Sequence, residues 1–398
     1  MASGDPNSQN RPRGLRNVTV LGIVSFFTDF STEMIAGMLP SFIVTELGAS
    51  KALLGGIEGS AELVSYAFRL VSGSLSDKFH RRKIFILFGY GLSTISKPFF
   101  SVSFNWTDVL LVRISDRIGK GVRTAPRDAL ISDSVTETTS GKAFGIHRSL
   151  DQSGAIAGPI AGYALLQFFD VRDIFILSLI PGVIAVIILV FFVKEVIGKD
   201  ITEGIQRNFL YLLNQNRPFT ILLLITGIFG LGAYNFSFVL LKSSDLGVIE
   251  STIPLVYAAI NITHTAVSIP SGILADRIGK EKVLVLGYGV LLVSSFLMVL
   301  LSGNFLYAFV VALIYGIYLG VTETVQRAVL PKYVDSNVRG TAYGLYNLVI
   351  GVGFFIGNIL FGYLWDAYSL DVAISFSSIF VAGAMIGMIM FIKKFNLN

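Results

Sequence analysis

Apolar runs of roughly twenty residues, broken by short polar stretches, recur about twelve times along the chain. They fall near 17–43, 53–75, 84–104, 107–127, 142–166 and 172–193, then near 218–241, 251–274, 283–301, 305–328, 341–363 and 371–392. An α-helix rises about 1.5 Å per residue, so a run of about 20 covers the hydrocarbon core of a bilayer. Each run is therefore predicted to be a membrane-spanning helix. The run at 107–127 is the least apolar and is assigned because its counterpart at 305–328 is clear. A counterpart exists because the chain repeats itself at an offset of 199 residues, half of its 398. "SGSLSDKFHRRK", with Gly73, Leu75, Asp77 and Lys83, returns as "SGILADRIGKEK", with Gly272, Leu274, Asp276 and Lys282. Gly121 returns as Gly320, and Gly154 and Gly158 as Gly353 and Gly357. A doubled membrane bundle is a common plan for secondary transporters, with the substrate site between the halves.

The pattern predicts an all-α membrane protein of twelve transmembrane helices in two pseudo-symmetric six-helix bundles, 17–193 and 218–392. A polar tail at 1–16 contains Pro and Gly and is expected to be disordered; no short apolar region with a cleavage site is separable from the first span. The connection at 194–217 joins the bundles, and a short tail follows at 393–398. In that connection Ile205, Phe209 and Leu213 recur at helical spacing, which predicts a surface helix.

Composition agrees with a polytopic membrane protein: 53% hydrophobic and 14% charged residues, with a mean hydropathy of +0.70. There is no cysteine, hence no disulfide or thiolate chemistry, and the three His are scattered. Neither a metal site nor a cofactor is expected. The net charge of +5 does not point to nucleic acid, because the basic residues are concentrated in one set of alternate connections. That set includes Arg16, Lys78, Arg81, Arg82, Lys83, Lys142, Lys194, Arg277, Lys280, Lys282 and Lys332, whereas the other has only Lys51, Arg172 and Lys242. The bias predicts that both termini are cytoplasmic and that the chain is a multi-pass protein of the cell membrane, taken as a monomer.

The loop after the second span runs Gly73-Ser-Leu75-Ser-Asp77-Lys78-Phe-His-Arg81-Arg82-Lys83, and its copy runs Gly272-Ile-Leu274-Ala-Asp276-Arg277-Ile-Gly279-Lys280. Both resemble the G-x-L-x-D-R-x-G-R-R signature of the major facilitator superfamily. The first copy departs at His80 and the second at Glu281. The resemblance implies a cytoplasmic latch, with Gly letting helices touch and Asp77 sitting beside Arg81 or Arg82 and an acid at the end of the fourth span, Asp133. The fifth span carries Gly145, Gly154, Gly158, Pro159 and Gly162. This is similar to the antiporter motif of the superfamily's drug/proton exporters and departs only at Tyr163. In the family that bend seals the interface between the halves. Plain small-residue packing is the alternative, since Gly353 and Gly357 repeat the spacing without Pro.

On the fourth span Arg113, Asp116, Arg117, Lys120, Arg123 and Arg127 recur every three or four positions and form one charged stripe. An ionisable side chain facing lipid costs about 3 kcal/mol, so Arg113 to Lys120 are expected to face protein or a watery cavity. Arg127 and Asp128 are expected in cytoplasmic water. Arg117, with Lys120 and Gly121, resembles the family's R-x-x-Q-G motif, which implies that Arg117 helps release a proton from a nearby acid. Acids are available in pairs one turn apart: Asp29 and Glu33 on the first span, Glu58 and Glu62 on the second. A static buried ion pair is the competing reading for either pair. The matched second-half positions are mostly uncharged. Substrate contacts are therefore assigned to Arg113 and Lys120 in the first half and to Tyr234, Asn235, Asn261, His264, Glu323 and Arg327 in the second.

These observations predict a proton-coupled exporter of small organic molecules working by alternating access, whose partners are its substrate, protons and the bilayer. A symporter importing an anionic metabolite is the alternative suggested by Arg113, Arg117 and Lys120. A non-transporting membrane receptor would need neither the latch nor buried acids. No nucleophile, metal or phosphate-binding constellation points to an enzyme.

Overall fold

The computed structural model describes residues 11–79, 81–196, 216–334 and 339–395. All regular structure among them is helical. The predicted surface helix at 194–217 lies almost wholly outside the described residues, as does most of the tail at 1–16. The first helix nevertheless begins at Arg11, six residues before the predicted span.

The helices are α1 Arg11–Ala36, α2 Lys51–Phe79, α3 Arg82–Ser96, α4 Trp106–Asp133, α5 Glu137–Leu165, and the broken pair α6 Val171–Leu177 and α7 Leu179–Phe192. In the second half they are the broken pair α8 Arg217–Gly232 and α9 Phe236–Asp245, then α10 Ile253–Ile278, α11 Lys280–Leu300, α12 Leu306–Val329, α13 Arg339–Ala367 and α14 Leu370–Lys394. A π-helical turn, Phe42–Glu46, extends the first span, and a 3-10 turn, Lys97–Val102, extends the third. Together they make twelve spans. Nine are apolar enough to cross a membrane on composition alone. The other three, α2, α4 and α5, are 29, 28 and 29 residues long, enough for more than 40 Å. They are the helices that carry the latch, the charged stripe and the glycine motif, so their polar residues dilute the apolar signal. Their buried residues include Glu58 of α2, Arg113, Asp116, Arg117 and Arg123 of α4, and His147 and Asp151 of α5. The outward faces are apolar: Ile180, Ile184, Ile187 and Phe191 on α7, and Leu286, Val293, Phe296 and Leu300 on α11, are all exposed. In water such stripes would be a liability; against lipid they cost nothing.

The chain packs as two compact units that cut across the repeat. The first comprises residues 1–35, 67–103 and 111–202, and the second residues 36–66, 104–110 and 203–398. The core of the first unit gathers Val18, Leu21 and Val24 of α1, Ile86 and Tyr90 of α3, Leu130 and Ile131 of α4, and Ala185 and Leu189 of α7.

The second unit takes in the start of α2 because glycine permits it. A Cβ on Gly55 would overlap the Asn358 carbonyl of α13, and one on Gly362 would overlap the Lys51 carbonyl. Lys51 pairs with Asp366 at 3.2 Å, and Asp366 also accepts the Ala52 amide at 3.0 Å. Asn358 closes the break between α8 and α9 as well. Its Oδ1 accepts the Asn235 amide at 2.8 Å and its Nδ2 donates to the Ala233 carbonyl at 3.3 Å. The Ser377 hydroxyl donates to the Gly232 carbonyl at 2.6 Å, and the Tyr315 hydroxyl to the Tyr234 carbonyl at 2.6 Å. Four backbone groups at the break thus find side-chain partners, which a helix interrupted inside a membrane requires.

Candidate functional site: a charged network inside the first unit

Among the described residues five cations are buried in the first unit, Arg82, Lys97, Arg113, Arg117 and Arg123, with Asp116 and Asp151 as buried acids. The fourth-span stripe therefore faces protein, as its spacing predicts. The Ser93 hydroxyl donates to Asp116 at 2.5 Å, and Arg113 approaches the same carboxylate at 3.9 Å. Arg117 adds its charge beside Asp116. Arg123 lays its guanidinium over the Tyr90 ring at 4.7 Å. Close helix packing fixes this register: a Cβ on Gly89 of α3 would come within 2.7 Å of the Arg123 Cβ, and one on Gly119 of α4 within 2.9 Å of the Ser93 amide.

Arg127 departs from expectation. Its place at the end of the stripe predicts cytoplasmic water, but its side chain is only 14% exposed. The guanidinium pairs with Asp128 at 3.0 Å, reaches Asp151 at 3.7 Å, and donates to the Ser25 hydroxyl at 3.3 Å. Buried acceptors on two other helices, Ser25 on α1 and Asp151 on α5, draw it inward, while Asp128 stays half exposed. The Ser25 hydroxyl also meets the Tyr90 hydroxyl and His147 Nε2, both at 2.9 Å.

Asp29 is the member of the predicted acid pairs that joins this network most directly. It lies on α1 within electrostatic reach of Asp151 on α5, of Glu33, and of Lys120 and Arg123 on α4. Two residues that sequence reasoning did not select belong here. Asp151 is one, held also by Arg148 at 3.1 Å. Lys97 is the other, fully buried, its ammonium donating to the hydroxyls of Ser31 at 2.5 Å and Thr32 at 3.2 Å. Lys97 is the lone ionisable residue of its span, and that solitude was the available signal, because an ionisable residue inside a span marks function by default.

The glycine motif of α5 packs within its own unit. Gly154 and Gly158 press on the α1 backbone at Phe26 and Phe30. Gly353 and Gly357 of α13 do the same on α8, at Gly227 and Leu231. The contact is thus a shared property of both copies and needs no proline. Gly145 has open space around it.

At the end of the first unit that bears the basic connections, Arg82 bridges two acids, Asp77 at 2.9 Å and Asp133 at 2.6 Å. This is the predicted latch geometry, made by Arg82 with Arg81 left exposed. Gly73 contributes an ordinary contact with Ala125, repeated by Gly272 with Thr324. The backbone amides of Arg82 and Lys83, at the start of α3, are capped by Glu195 at 3.0 and 2.9 Å. In the second unit Asp276 and Arg277 are exposed, and the tie is made elsewhere. Glu281 accepts from Lys332 at 2.9 Å and from the Tyr333 hydroxyl. At the offset of 199, Glu281 matches Arg82 and Lys332 matches Asp133. The salt bridge is retained with its polarity reversed. Gly279 makes the α10–α11 turn with φ of 103°, a conformation that favours glycine.

The second unit holds the remaining predicted residues. Glu58 is 3% exposed, on the face of α2 that carries Gly55 and Gly59. His264 Nε2 lies 3.7 Å from Glu323, whose side chain is 44% exposed. Glu62 is half-buried and Asn261 buried. Tyr234 is fully buried, stacked on Phe361 and hydrogen-bonded to Ser295 at 3.1 Å, so it acts here as packing. Asn235 caps α9 by accepting the Ser237 amide at 2.9 Å. The side chain of Arg327 lies outside the described residues.

Twelve helical spans, an internal repeat and charge held inside the bundle define a polytopic secondary transporter. The family model for the Major Facilitator Superfamily matches residues 21–241 and 221–397, and the chain belongs to that superfamily. It is 31% identical over 369 residues to an MFS-type transporter of Methanocaldococcus jannaschii, covering 90% of this chain and 91% of that one. It is 24% identical over 393 residues to the multi-drug resistance efflux pump PmrA of Streptococcus pneumoniae, covering 92% and 94%. Among solved structures, the nucleoside transporter NupG superposes with a TM-score of 0.75 at 14% identity, covering 95% of this chain and 99% of that chain. A POT family transporter superposes with a TM-score of 0.78 at 12% identity, covering 95% of each.

Proposed function

We propose that this chain exports small organic molecules from the cytoplasm in exchange for protons, by alternating access, with both termini on the cytoplasmic side of the cell membrane. The observation that carries the reading is the cluster of buried acids and bases in the first unit, centred on Asp29. A buried carboxylate beside arginines suits a group that takes up and releases a proton as its surroundings change. Arg keeps its charge at every physiological pH and supplies a fixed field. In the proposed cycle Asp29 takes a proton from outside, and the loaded carrier turns inward. The proton then leaves as the neighbouring guanidiniums stabilise the bare carboxylate. Similarity to a multi-drug efflux pump over most of the chain supports the export direction. The basic connections support the orientation.

A second reading keeps one specific observation in its favour. Among the described residues, the buried charged side chains of the first unit comprise five cations against two acids, an excess that suits import of an anionic metabolite together with protons. Flux into and out of proteoliposomes under an imposed pH gradient, screened against cationic dyes and organic anions, separates the two. Export predicts that substrate moves against the direction of proton flow. Movement of an organic anion with the protons would establish the second reading, and flux indifferent to pH would remove both.

A further inference from the structure

We propose that Lys97 is a proton-exchanging site of this carrier: an amine buried in the first unit that gains and loses a proton during the cycle, with Ser31 and Thr32 holding it in either charge state. The proposal rests on the proton-coupled reading above for its place in the cycle, and it adds a base to the acids considered there.

Lys97 is the one lysine among the buried side chains of the described residues, and it has no exposed surface. The other buried cations of the unit are arginines, which keep their charge at every physiological pH, whereas an amine can give up its proton. Lys97 opens the 3-10 turn that follows α3. Ser31 and Thr32 lie on α1, and Ser178 at the break between α6 and α7. Close packing draws α7 onto α3 at Gly182, where a Cβ would come within 2.8 Å of the Thr94 side chain. The Ser31 hydroxyl donates to the Ser178 carbonyl at 2.6 Å, which uses its only hydrogen. Lys97 is therefore the donor in its 2.5 Å bond with Ser31. Thr32 is different. Among the described residues its hydroxyl has no partner but Lys97, at 3.2 Å. That bond can run in either direction.

The count of hydrogens fits both charge states. An ammonium has three N–H donors and no acceptor. It gives one hydrogen to Ser31 and one to Thr32, and the Thr32 hydrogen goes unused. When an N–H bond breaks and its proton passes to water, the nitrogen keeps the electron pair. The neutral amine still donates to Ser31, and its lone pair accepts the Thr32 hydrogen. No heavy atom has to move. Among the described residues no carboxylate lies within salt-bridge distance of Lys97 to fix the charge in place. The charged groups facing it from farther away are Asp29 and Glu33 on α1 and Asp116 and Arg123 on α4. Asp116 accepts from Ser93, one turn before Lys97, at 2.5 Å and is flanked by Arg113 at 3.9 Å and by Arg117. On α6 the charged residues are Arg172 and Asp173, and Arg172 donates to the carbonyls of Ser101 and Ser103; α7 carries none. Lys97 lies toward the end of the third span opposite the basic connections. A proton entering from outside meets it before Asp29, one turn back along α1 from Thr32. Lys97 is charged again by the end of each cycle, so the number of protons exchanged per substrate is unchanged.

Nitrogen-15 NMR of the full-length protein in lipid, labelled at the lysine Nζ, distinguishes ammonium from amine and needs no substrate. The signal missing from Lys97→Met identifies Lys97. In the wild type it should convert between the two forms as the pH is moved through the neutral range. A signal that stays ammonium throughout overturns the proposal. Transport supplies a second readout. Lys97→Arg keeps the charge but cannot release a proton. It should retain exchange of substrate for substrate across the membrane and lose accumulation driven by a pH gradient. Gradient-driven accumulation at the wild-type level in Lys97→Arg would mean that charge alone suffices, and it also overturns the proposal. If the signal converts as stated while wild-type flux ignores the pH gradient, the site stands and the coupling reading falls.

Discussion

Lys97 is a full charge inside a membrane bundle with two neutral hydroxyls as its hydrogen-bond acceptors, Ser31 and Thr32. Replacing a buried charge by an apolar side chain of similar length is often neutral or stabilising, by up to about 4 kcal/mol. Lys97→Met should therefore leave the thermal unfolding midpoint in detergent unchanged or raise it, while flux is lost. A lower midpoint with flux retained would make Lys97 a structural residue. The reversed latch predicts the opposite kind of result. Glu281→Lys places two cations together where Lys332 and the Tyr333 hydroxyl expect an anion, at a side chain only 2% exposed. A loss of about 2–3 kcal/mol follows, discounted because Lys332 is 42% exposed. Glu281→Lys with Lys332→Glu should recover most of it, and denaturation midpoints of the four proteins form the test cycle. The sequence displayed Glu281 only as a departure from the motif. Its meaning needed Lys332, 51 residues away, and the comparison of both with Arg82 and Asp133 at the repeat offset. Asp151 was hidden in a similar way. Of its two guanidinium partners, Arg148 sits one turn back on α5 and is half exposed, and Arg127 comes from α4.

At the scale of elements, glycine decides which helices touch, and the sequence indicated that such contacts exist without saying where. The motif at Gly154 and Gly158 resembled a seal between halves; its first duty is to seat α5 on α1. The tighter seam lies between α2 and α13, where no motif pointed. Gly55→Ala should force the Asn358 backbone away and loosen the contacts of Lys51 and Ala52 with Asp366. The chain has no cysteine, so a single Cys at Ile359 reports this directly. Its labelling by a membrane-impermeant maleimide should be several-fold faster in the Gly55→Ala background. Equal rates would mean that the seam opens without hindrance or does not govern access. Asn358→Ala acts on the same junction by another route. It strands the Asn235 amide and the Ala233 carbonyl at the α8–α9 break, at a cost of about 2–4 kcal/mol for two buried polar groups. Chemical denaturation measures that loss, and an effect below about 1 kcal/mol would mean that the break has other partners.

For the whole molecule, the repeat was the most legible feature and it holds at the level of single contacts. Ser72 donates to the Gly121 carbonyl at 3.2 Å, and Ser271, its copy, to the Gly320 carbonyl at 3.4 Å. Nine of the spans can be read from hydropathy alone, because membrane helices must satisfy their own backbone and therefore show their full length as apolar sequence; the charged fourth span needed the repeat. The compact units could not, because residues 36–66 belong to the first half in sequence and pack with the second unit. The account turns on whether substrate and proton exchange for one another. The measurement that asks this most directly is the pH change of a weakly buffered solution of the purified transporter when a transported substrate is added. Exchange predicts release of protons, close to one per substrate bound, and no release from Asp29→Asn. Proton uptake on substrate addition, or no change at any pH, would contradict it.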